Sequence, residues 1–463
     1  MSKRWIRRLA LIATLSIAGA PLATLAQAAT DADIDQEWAW WGGPRWDWKP
    51  ATPALADSWP ESGPPVLWRR PLGEGYSAIS VKDGALYTML RDGEDETVVA
   101  LSAATGETLW QHTYESPTEG WTFDRGAGPH ATPAVTAERV FAIGSTGKMH
   151  ALDRATGAAL WSHDLIAELD GGVRHRGYSS SPLLHDDLVI AVVGGEAGTV
   201  VAFRQADGTV AWRGGSDDSS YSSPLLIELP PELPSSTSSA TDASRRAPSA
   251  PTRRPSADSD GLPGGQHQLV VFAATRILGV DPDSGRELWS HPHPTRSAFN
   301  ISTPLWSEDD GILFVSSAYD GGGRAIQLER EGDATEVKEL WFSNQVRVHF
   351  GTAIRLGDTV YASSGDFGPA PMTAVDVGSG EVLWRDRTFA KHSLLHADGK
   401  LILLDEDGAL GLVEVSREGM TVRSRAQVFE SLSWTVPTLV GTKLYLRNRA
   451  EIMALELGQE SAE

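Results

Sequence analysis

The sequence predicts an all-β protein: an eight-bladed β-propeller of four-stranded antiparallel blades, with the ring closed by an N-terminal strand. Three observations predict it. One eleven-residue pattern recurs along the chain, short apolar strands fill the intervals between its copies, and prolines recur in phase with it. A repeat of roughly 50 residues that holds four strands and no helix is typical of a propeller blade.

The recurring pattern is small-x-Asp-x-x-Thr-Gly-x-x-x-Trp. Alternating apolar residues on both sides predict two strands, and the glycine between them supplies the positive φ of a tight turn. The small residue leaves room for the indole, which we expect to be buried. Five copies span residues 100–110, 151–161, 202–212, 279–289 and 374–384, and a looser copy ends at Trp341.

Prolines mark the predicted innermost strand of five blades. Proline cannot donate a hydrogen bond to a strand ladder, so it belongs on an edge, and the innermost strand of a propeller is an edge that faces the channel. The five are Pro133, Pro182, Pro224, Pro304 and Pro437. Eight inner strands are predicted to begin near Ser77, Ala131, Ser180, Ser222, Ser302, Gly351, Ser393 and Thr435.

The two ends of the predicted propeller complete one blade. The eighth repeat runs through Leu444 and Ala454 and stops before an outer tryptophan strand, whereas residues 66–71 form a spare outer strand that contains Trp68. We expect this strand to complete the last blade, which leaves no exposed sheet edge. The tryptophans of the repeated outer strands, which we expect to be buried, are Trp68, Trp110, Trp161, Trp212, Trp289, Trp341 and Trp384.

Composition divides the chain into segments. A basic start, an apolar stretch and a small-x-small site predict a cleaved signal peptide over residues 1–28, with a membrane anchor as the alternative. A tryptophan-rich segment at 29–63 precedes the propeller at 64–457, and a tail follows at 458–463. Residues 230–267, rich in Pro, Ser, Thr and Arg, predict a disordered insert in the fourth blade. The insert is either a neutral insertion or, through its arginines, a partner contact.

Charge and composition exclude several classes of function. The chain has no cysteine, which excludes disulfides, thiolate metal sites and a cysteine nucleophile. Its net charge of −21 disfavours binding to nucleic acid. No segment after the leader approaches the ~20 apolar residues that span a membrane. We expect a periplasmic or secreted monomer that is soluble after signal cleavage.

These motifs resemble the tryptophan-docking repeats of the PQQ-repeat superfamily, which includes quinoprotein alcohol dehydrogenases and the outer-membrane assembly factor BamB. The resemblance covers roughly residues 64–457, and the segments WWGGP at 40–44 and GEGYS at 73–77 resemble exported single-propeller proteins often described as PQQ-binding-like. It implies that the tryptophan of one blade packs on the glycine turn of its neighbour.

The sequence departs from the dehydrogenases of this superfamily. Those enzymes typically hold the quinone beneath a vicinal disulfide, beside a Glu/Asn/Asp calcium site and a catalytic Asp. Here no cysteine exists, and neither the calcium ligands nor the catalytic Asp can be placed. We therefore predict a non-catalytic exported propeller without a cofactor that binds a protein partner or ligand. The alternatives are an alcohol or sugar dehydrogenase that uses PQQ with calcium, and a carbohydrate-binding or lyase-like enzyme.

The candidate site is the rim where each outer strand leads into the next inner strand, because these loops converge on the axis. Aromatic, imidazole and guanidinium groups there either bind a ligand or partner, or plug the channel. The predicted rim residues are Tyr76, His130, Tyr178, Tyr221, Asn300, His349, His392 and Trp434, preceded in places by Arg125, Arg174, His175, Arg176 and Arg347.

Three other features have competing interpretations. Histidines such as His291 and His293 lack a recurrent metal spacing and are interpreted as solvated or core residues. Residues 405–408 (DEDG) lack the spacing of a calcium loop and predict an acidic hairpin turn. Residues 37–50 hold five tryptophans, which either bind a partner or fold back to cover one face of the propeller.

Overall fold

The computed structural model describes residues 37–119, 121, 126–172, 176–230, 266–332, 334–366 and 368–459. Their strands form eight separate four-stranded antiparallel sheets arranged as a ring, so the eight-bladed prediction is confirmed. The one helical element in these ranges is a 3-10 turn at Gly195–Ala197, and none of their helices is long and apolar enough to cross a membrane. The predicted signal peptide and most of the predicted insert lie outside the described residues.

The first four blades each consist of four consecutive strands, ordered from the channel outwards. Strand β1 (Val66–Pro71) precedes them. Blade 1 contains β2 (Ser80–Lys82), β3 (Ala85–Asp92), β4 (Asp95–Ser102) and β5 (Thr108–Glu115); blade 2 contains β6 (Ala134–Val135), β7 (Arg139–Ile143), β8 (Lys148–Asp153) and β9 (Ala159–Asp164). Blade 3 contains β10 (Leu183–His185), β11 (Leu188–Val192), β12 (Val200–Arg204) and β13 (Val210–Gly214); blade 4 contains β14 (Leu225–Leu229), β15 (Gln266–Phe272), β16 (Arg276–Val280) and β17 (Glu287–Pro292).

The next three blades follow the same order, and the last is made from both ends of the chain. Blade 5 contains β18 (Leu305–Ser307), β19 (Ile312–Ser317), β20 (Gly322–Glu331) and β21 (Ala334–Ser343); blade 6 contains β22 (Val348–Leu356), β23 (Thr359–Ser364), β24 (Met372–Asp376) and β25 (Val382–Asp386). Blade 7 contains β26 (His392–Ala397), β27 (Lys400–Asp405), β28 (Ala409–Val415) and β29 (Met420–Gln427). Blade 8 contains β30 (Thr438–Val440), β31 (Lys443–Arg447), β32 (Glu451–Glu456) and β1.

The five prolines lie directly before the inner strands and not on them, which corrects the prediction. Pro133, for example, precedes β6. The backbone before it is held by side chains of the neighbouring blade: Thr132 N donates to Ser181 Oγ at 2.9 Å, and Ser181 N donates to Ser223 Oγ at 2.9 Å. These hydroxyl contacts replace ladder bonds, so six inner strands begin about three residues later than predicted.

Ring closure by the N-terminal strand is confirmed. Strand β1 pairs antiparallel with β32, and Trp68 lies opposite Ala454. A buried arginine at the end of β31 joins blade 8 to blade 1. Arg447 donates to Met89 O at 2.6 Å and to Thr88 Oγ1 at 3.0 Å, and burial lowers the pKa of its guanidinium to about 9. The closing contact therefore combines a strand ladder with a cation held by neutral oxygens.

Six of the seven predicted tryptophans dock on the turn of the next blade. Their indole nitrogens donate to turn carbonyls at 2.6–3.0 Å: Trp68 to Ala103, Trp110 to Arg154, Trp161 to Gln205, Trp212 to Pro282, Trp341 to Val377 and Trp384 to Ser416. In five of the six, the ring also covers a glycine of that turn. A Cβ added to this glycine would lie 2.5–2.7 Å from the indole ring, as at Gly106, Gly157 and Gly208.

Trp289 is the exception, and its predicted docking is wrong in detail. Its indole nitrogen donates to Gln268 Oε1 within its own blade at 2.7 Å, and the Gln268 amide continues to Thr335 of blade 5 at 2.7 Å. The partner of Trp289 in the strand ladder is Gly279, where an added Cβ would lie 2.0 Å from the indole nitrogen. Blade 5 has a long β20–β21 hairpin in place of the short glycine turn, so the indole takes a side-chain acceptor instead.

The tryptophan-rich segment covers one end of the ring, as one of the two interpretations proposed. Trp38 forms an antiparallel bridge with blade 1, and Ala39 O accepts a hydrogen bond from blade 2 at 2.8 Å. The indole of Trp41 donates to Thr303 Oγ1 of blade 5 at 2.9 Å. Trp48 is 1% exposed, and its carbonyl accepts from blade 7 at 3.0 Å. The segment thus spans the ring where the inner strands end.

Docking of an indole on a glycine turn can be tested with one methyl group. Gly208 and Gly399 both have positive φ (76° and 71°), so alanine at either site carries a backbone cost of about 1 kcal/mol. Only at Gly208 would the Cβ meet a ring, that of Trp161 at 2.7 Å, whereas nothing lies within 4 Å at Gly399. We expect Gly208→Ala to lower the free energy of unfolding by about 1–3 kcal/mol more than Gly399→Ala. Equal losses in denaturant titrations would contradict the docking.

The contribution of β1 can be isolated by two truncations. A chain that starts at Pro64 keeps β1, whereas a chain that starts at Leu72 loses it and leaves β32 as an unpaired edge. We expect the second chain to aggregate and to melt at a clearly lower temperature, because an open blade exposes a template for strand pairing. Light scattering and thermal melts measure the difference. Identical behaviour of the two chains would exclude β1 as the closing element.

Candidate functional site

The channel contains a cavity of about 600 Å³ at the end where the inner strands begin. Five of the eight predicted rim residues line it, and so does Arg176. The five are Tyr76, His130, Tyr221, His349 and Trp434. They come from loops that are far apart in sequence and that meet because every outer strand returns to the axis before the next blade begins.

The other three predicted rim residues are buried away from the cavity. Tyr178 donates its hydroxyl to Val193 O, the Asn300 amide donates to Ala273 O, and His392 Nδ1 contacts Ala390 O. Neighbouring side chains on extended backbone point in opposite directions. A predicted rim position that is wrong by one residue therefore selects a side chain that points away from the cavity. The residues that line the cavity in their place are the chain neighbours Ser179, Ile301 and Lys391.

Of the basic residues predicted beside the rim, Arg347 does not line the cavity. Its guanidinium pairs with Asp366 at 3.1 Å and lies 3.6 Å from Asp320. Arg125, Arg174 and His175 lie outside the described residues. Arg176 is thus the member of this predicted group that the structure places in the cavity wall.

A chain of ring contacts runs around the cavity, and we call it the aromatic belt. Tyr76 stacks on His130 with ring centroids 5.4 Å apart and an angle of 3° between the planes, and on Trp434 at 5.4 Å. The contacts continue at 4.6–5.5 Å between Trp434, Phe350, His349, Tyr319, Phe299 and Tyr221. Sequence reasoning missed Phe350 and Phe299, which are the chain neighbours of the predicted His349 and Asn300, and Tyr319, which lies between β19 and β20.

Both signs of charge lie in the cavity wall. Arg176 and Lys391 are the cations, and Glu406 and Asp407 are the carboxylates. Lys391 Nζ donates to Asp366 O at 2.8 Å and lies 4.8 Å from the centre of the Phe350 ring, and burial lowers its pKa. Glu406 accepts the indole N–H of Trp434 at 3.0 Å. The described wall therefore combines aromatic side chains with charges of both signs.

The two histidines of the belt are neutral at pH 7. Burial lowers the pKa of His130 to about 4, and the charge of Arg176 acts in the same direction. Burial lowers the pKa of His349 to about 3, helped by the adjacent Lys391. His349 Nε2 contacts the Tyr319 hydroxyl at 3.0 Å, and its Nδ1 lies 3.1 Å from Lys391 Nζ. The imidazoles therefore act as neutral aromatic and hydrogen-bonding groups.

The N-terminal segment closes the cavity at its far end. Trp41 lines the cavity, its indole is anchored on Thr303, and it packs edge to face against the buried Trp48 at 5.8 Å. Because the segment crosses the ring at the end of the inner strands, the cavity has its mouth on the opposite face. In the part of the chain that the structure describes, the segment thus covers the end of the channel opposite this mouth.

The described part of the pocket wall offers few oxygen ligands for a calcium ion. Calcium needs six to eight oxygen ligands, carboxylates above all. Among the described residues of the wall only Glu406 and Asp407 carry carboxylates, and Glu406 is already bonded to Trp434. Asp405 is turned inwards, where its carboxylate accepts backbone hydrogen bonds from Asp407 and Ala409. The acidic run is the predicted hairpin turn.

One cluster of potential metal ligands lies elsewhere. His185, Asp186 and Asp283 each offer a ligand atom within 4.8 Å of the other two, at the junction of blades 3 and 4. Sequence spacing does not show this cluster, because Asp283 comes from a turn of the next blade. The side chain of His293 is buried, and its Nδ1 accepts a hydrogen bond from Arg324 Nε at 3.0 Å.

The depressed pKa of His349 predicts a pH dependence of stability. Below pH 6.5 the imidazole of His349 is protonated in the unfolded chain, whereas in the folded pocket it stays neutral until the pH falls to about 3. The free energy of unfolding should therefore fall as pH decreases from 6.5, with His349 contributing up to about 1.4 kcal/mol per pH unit. We expect His349→Gln to flatten this slope in denaturant titrations at pH 7, 6 and 5.

A slope that His349→Gln leaves unchanged would show that the pocket does not hold this imidazole neutral.

Comparisons with known proteins agree with the ring. A family model described as outer membrane protein assembly factor BamB matches residues 94–320. The outer membrane protein assembly factor BamB of Yersinia pestis is 23% identical over 344 residues, which cover 68% of this chain and 72% of that protein. The region matched by the family model includes four tryptophans of the repeat, Trp110, Trp161, Trp212 and Trp289.

Solved structures show the same architecture. BamB from Moraxella catarrhalis superposes with a TM-score of 0.56 at 17% identity, covering 86% of this chain and 99% of that one. A europium-containing methanol dehydrogenase gives a TM-score of 0.61 at 12% identity, covering 91% and 98%. Identities this low show the fold alone, and a fold does not assign chemistry. The tryptophan repeats, the eight-bladed ring and these matches support the resemblance to the PQQ-repeat β-propeller superfamily.

Proposed function

We propose that the protein is a non-catalytic, exported scaffold that binds a protein partner at the mouth of the channel. The observation that carries this proposal is the aromatic belt around a pocket that is closed at its far end. The relatives named as outer membrane protein assembly factors support a scaffold role in the same broad sense. Export to the periplasm or beyond is part of the proposal.

The composition of the pocket wall suits a polypeptide. Tyrosine, tryptophan and arginine are the side chains that contribute most binding energy at protein interfaces. Tyr76, Trp434 and Arg176 meet at one mouth, and the belt around them is rigid because each ring contacts the next. Cations and carboxylates in the same wall can pair with either end of a peptide dipole, whereas a uniformly charged wall would select a simple ion.

The closed floor restricts how a partner can enter. Because Trp41 and Trp48 lie across the ring, we expect that no chain passes through the channel. The occupant must enter and leave by the same mouth, so it is a chain end or a protruding loop. About 600 Å³ accommodates a few side chains and no folded domain.

Two arginines on the same face allow a matched test. Arg176 lines the cavity, whereas Arg347 is paired with Asp366 outside it. With a photo-crosslinking residue placed at Trp434, we expect one defined partner protein to be crosslinked in the native host. Arg176→Ala should weaken that crosslink several-fold, and Arg347→Ala should not. Crosslinking that is unaffected by both variants, or that yields no defined partner, would contradict binding at this mouth.

The absence of catalysis is tested separately. We expect the protein, after incubation with PQQ and calcium, to form no one-to-one complex in native mass spectrometry and to oxidise no alcohol or sugar in a dye-linked assay. The physical reason is the shortage of oxygen ligands in the wall. Stoichiometric PQQ binding with turnover would establish a quinoprotein dehydrogenase instead.

A further inference from the structure

The corner where blades 3 and 4 meet brings together one histidine and two aspartates. His185 is the last residue of β10, Asp186 begins the turn that follows it, and Asp283 lies in the turn between β16 and β17. Both turns are on the end of the ring covered by the N-terminal segment, so the corner is remote from the mouth of the channel.

The three side chains converge on a common point. His185 Nε2 lies 2.9 Å from Asp283 Oδ1 and 4.0 Å from Asp186 Oδ2. The imidazole is held in place, since the His185 side chain is only 8% exposed, whereas both carboxylates reach into solvent. Among the described residues neither aspartate forms an ion pair with a lysine or arginine, so the imidazole is their shared partner.

We propose that His185, Asp186 and Asp283 bind a divalent first-row transition metal ion, with zinc the best match. Imidazole nitrogen and carboxylate oxygen are ordinary zinc ligands at about 2.0–2.2 Å, and ligands around such an ion lie about 3–4 Å from one another. The nitrogen excludes calcium and magnesium as preferred ions, because these take oxygen ligands. Two carboxylates and one neutral imidazole also neutralise the charge of the ion.

A fourth ligand is within reach on the neighbouring strand. The ring of His267, near the start of β15, lies 6.1 Å from the ring of His185, and its Nε2 is 3.9 Å from Glu228. Its side chain is half exposed. A site completed by His267 or by water would join the inner turn of blade 3 to the outer turn of blade 4, beside the point where the chain leaves β14.

The test uses the untagged, metal-stripped protein and zinc itself. We expect calorimetry to show one zinc equivalent bound and zinc to raise the melting temperature, as any ligand specific to the folded state does. Cobalt should give the visible absorption of a four-coordinate site. Asp283→Asn should weaken zinc binding by more than about tenfold, because even changes to groups that only support metal ligands cost that much.

Another histidine–carboxylate pair supplies the matched control. His163 Nδ1 lies 2.7 Å from Glu168, and its Nε2 contacts Gly208 O at 2.8 Å, so both of its nitrogens are occupied. Glu168→Gln removes a carboxylate from a histidine in the same way as Asp283→Asn, yet it should leave zinc binding at the wild-type value.

Two results would overturn the proposal. One is the absence of saturable zinc binding by the wild-type protein. The other is zinc binding that Asp186→Asn and Asp283→Asn leave unchanged; both side chains are exposed, so these variants will fold. Either result would reduce the corner to an ordinary hydrogen-bonded His–Asp pair.

Discussion

The structure depends on one contact repeated around the ring, the hydrogen bond from the indole of one blade to the turn carbonyl of the next. Each contact joins two sheets that share no strand ladder, since the eight sheets are separate. An indole supplies both apolar area and a directed N–H, so one side chain provides cohesion and sets the angle between blades. The glycine beneath the ring is required because any Cβ there would occupy the space of the indole.

Where that contact is missing, other residues take its place. Between blades 4 and 5 the amide of Gln268 links Trp289 to Thr335. In blade 7 the ladder position equivalent to the tryptophans is Ser424, opposite Leu412. The backbone of Trp59 exchanges two hydrogen bonds with the Ser424 hydroxyl, at 2.7 and 3.0 Å. The N-terminal segment therefore contributes to the outside of the ring as well as to its covered end.

The fold could be predicted from the sequence because its determinants are local and repeated. A glycine turn, a small residue and a tryptophan at constant spacing specify a hairpin wherever they occur. The pocket could be predicted only in part, because the repeat gives the position of each rim loop but not which of two adjacent side chains faces the axis. Lys391 and His392 differ by one residue and point to opposite sides. The cluster of His185 with Asp283 depends on the packing of two blades, which no spacing within one repeat encodes.

Because the tryptophans hold the blades together from outside, the axis is free to be polar. Near the channel the blades are joined by hydroxyl-to-backbone contacts such as Ser80 Oγ to Pro133 O at 2.6 Å, and these need no apolar core. Side chains at the mouth can therefore vary in charge and shape without a loss of cohesion. The floor does not have that freedom, since Trp48 is among the most completely buried side chains. The N-terminal segment thus covers one end of the axis, and the rim residues line the cavity at the other end.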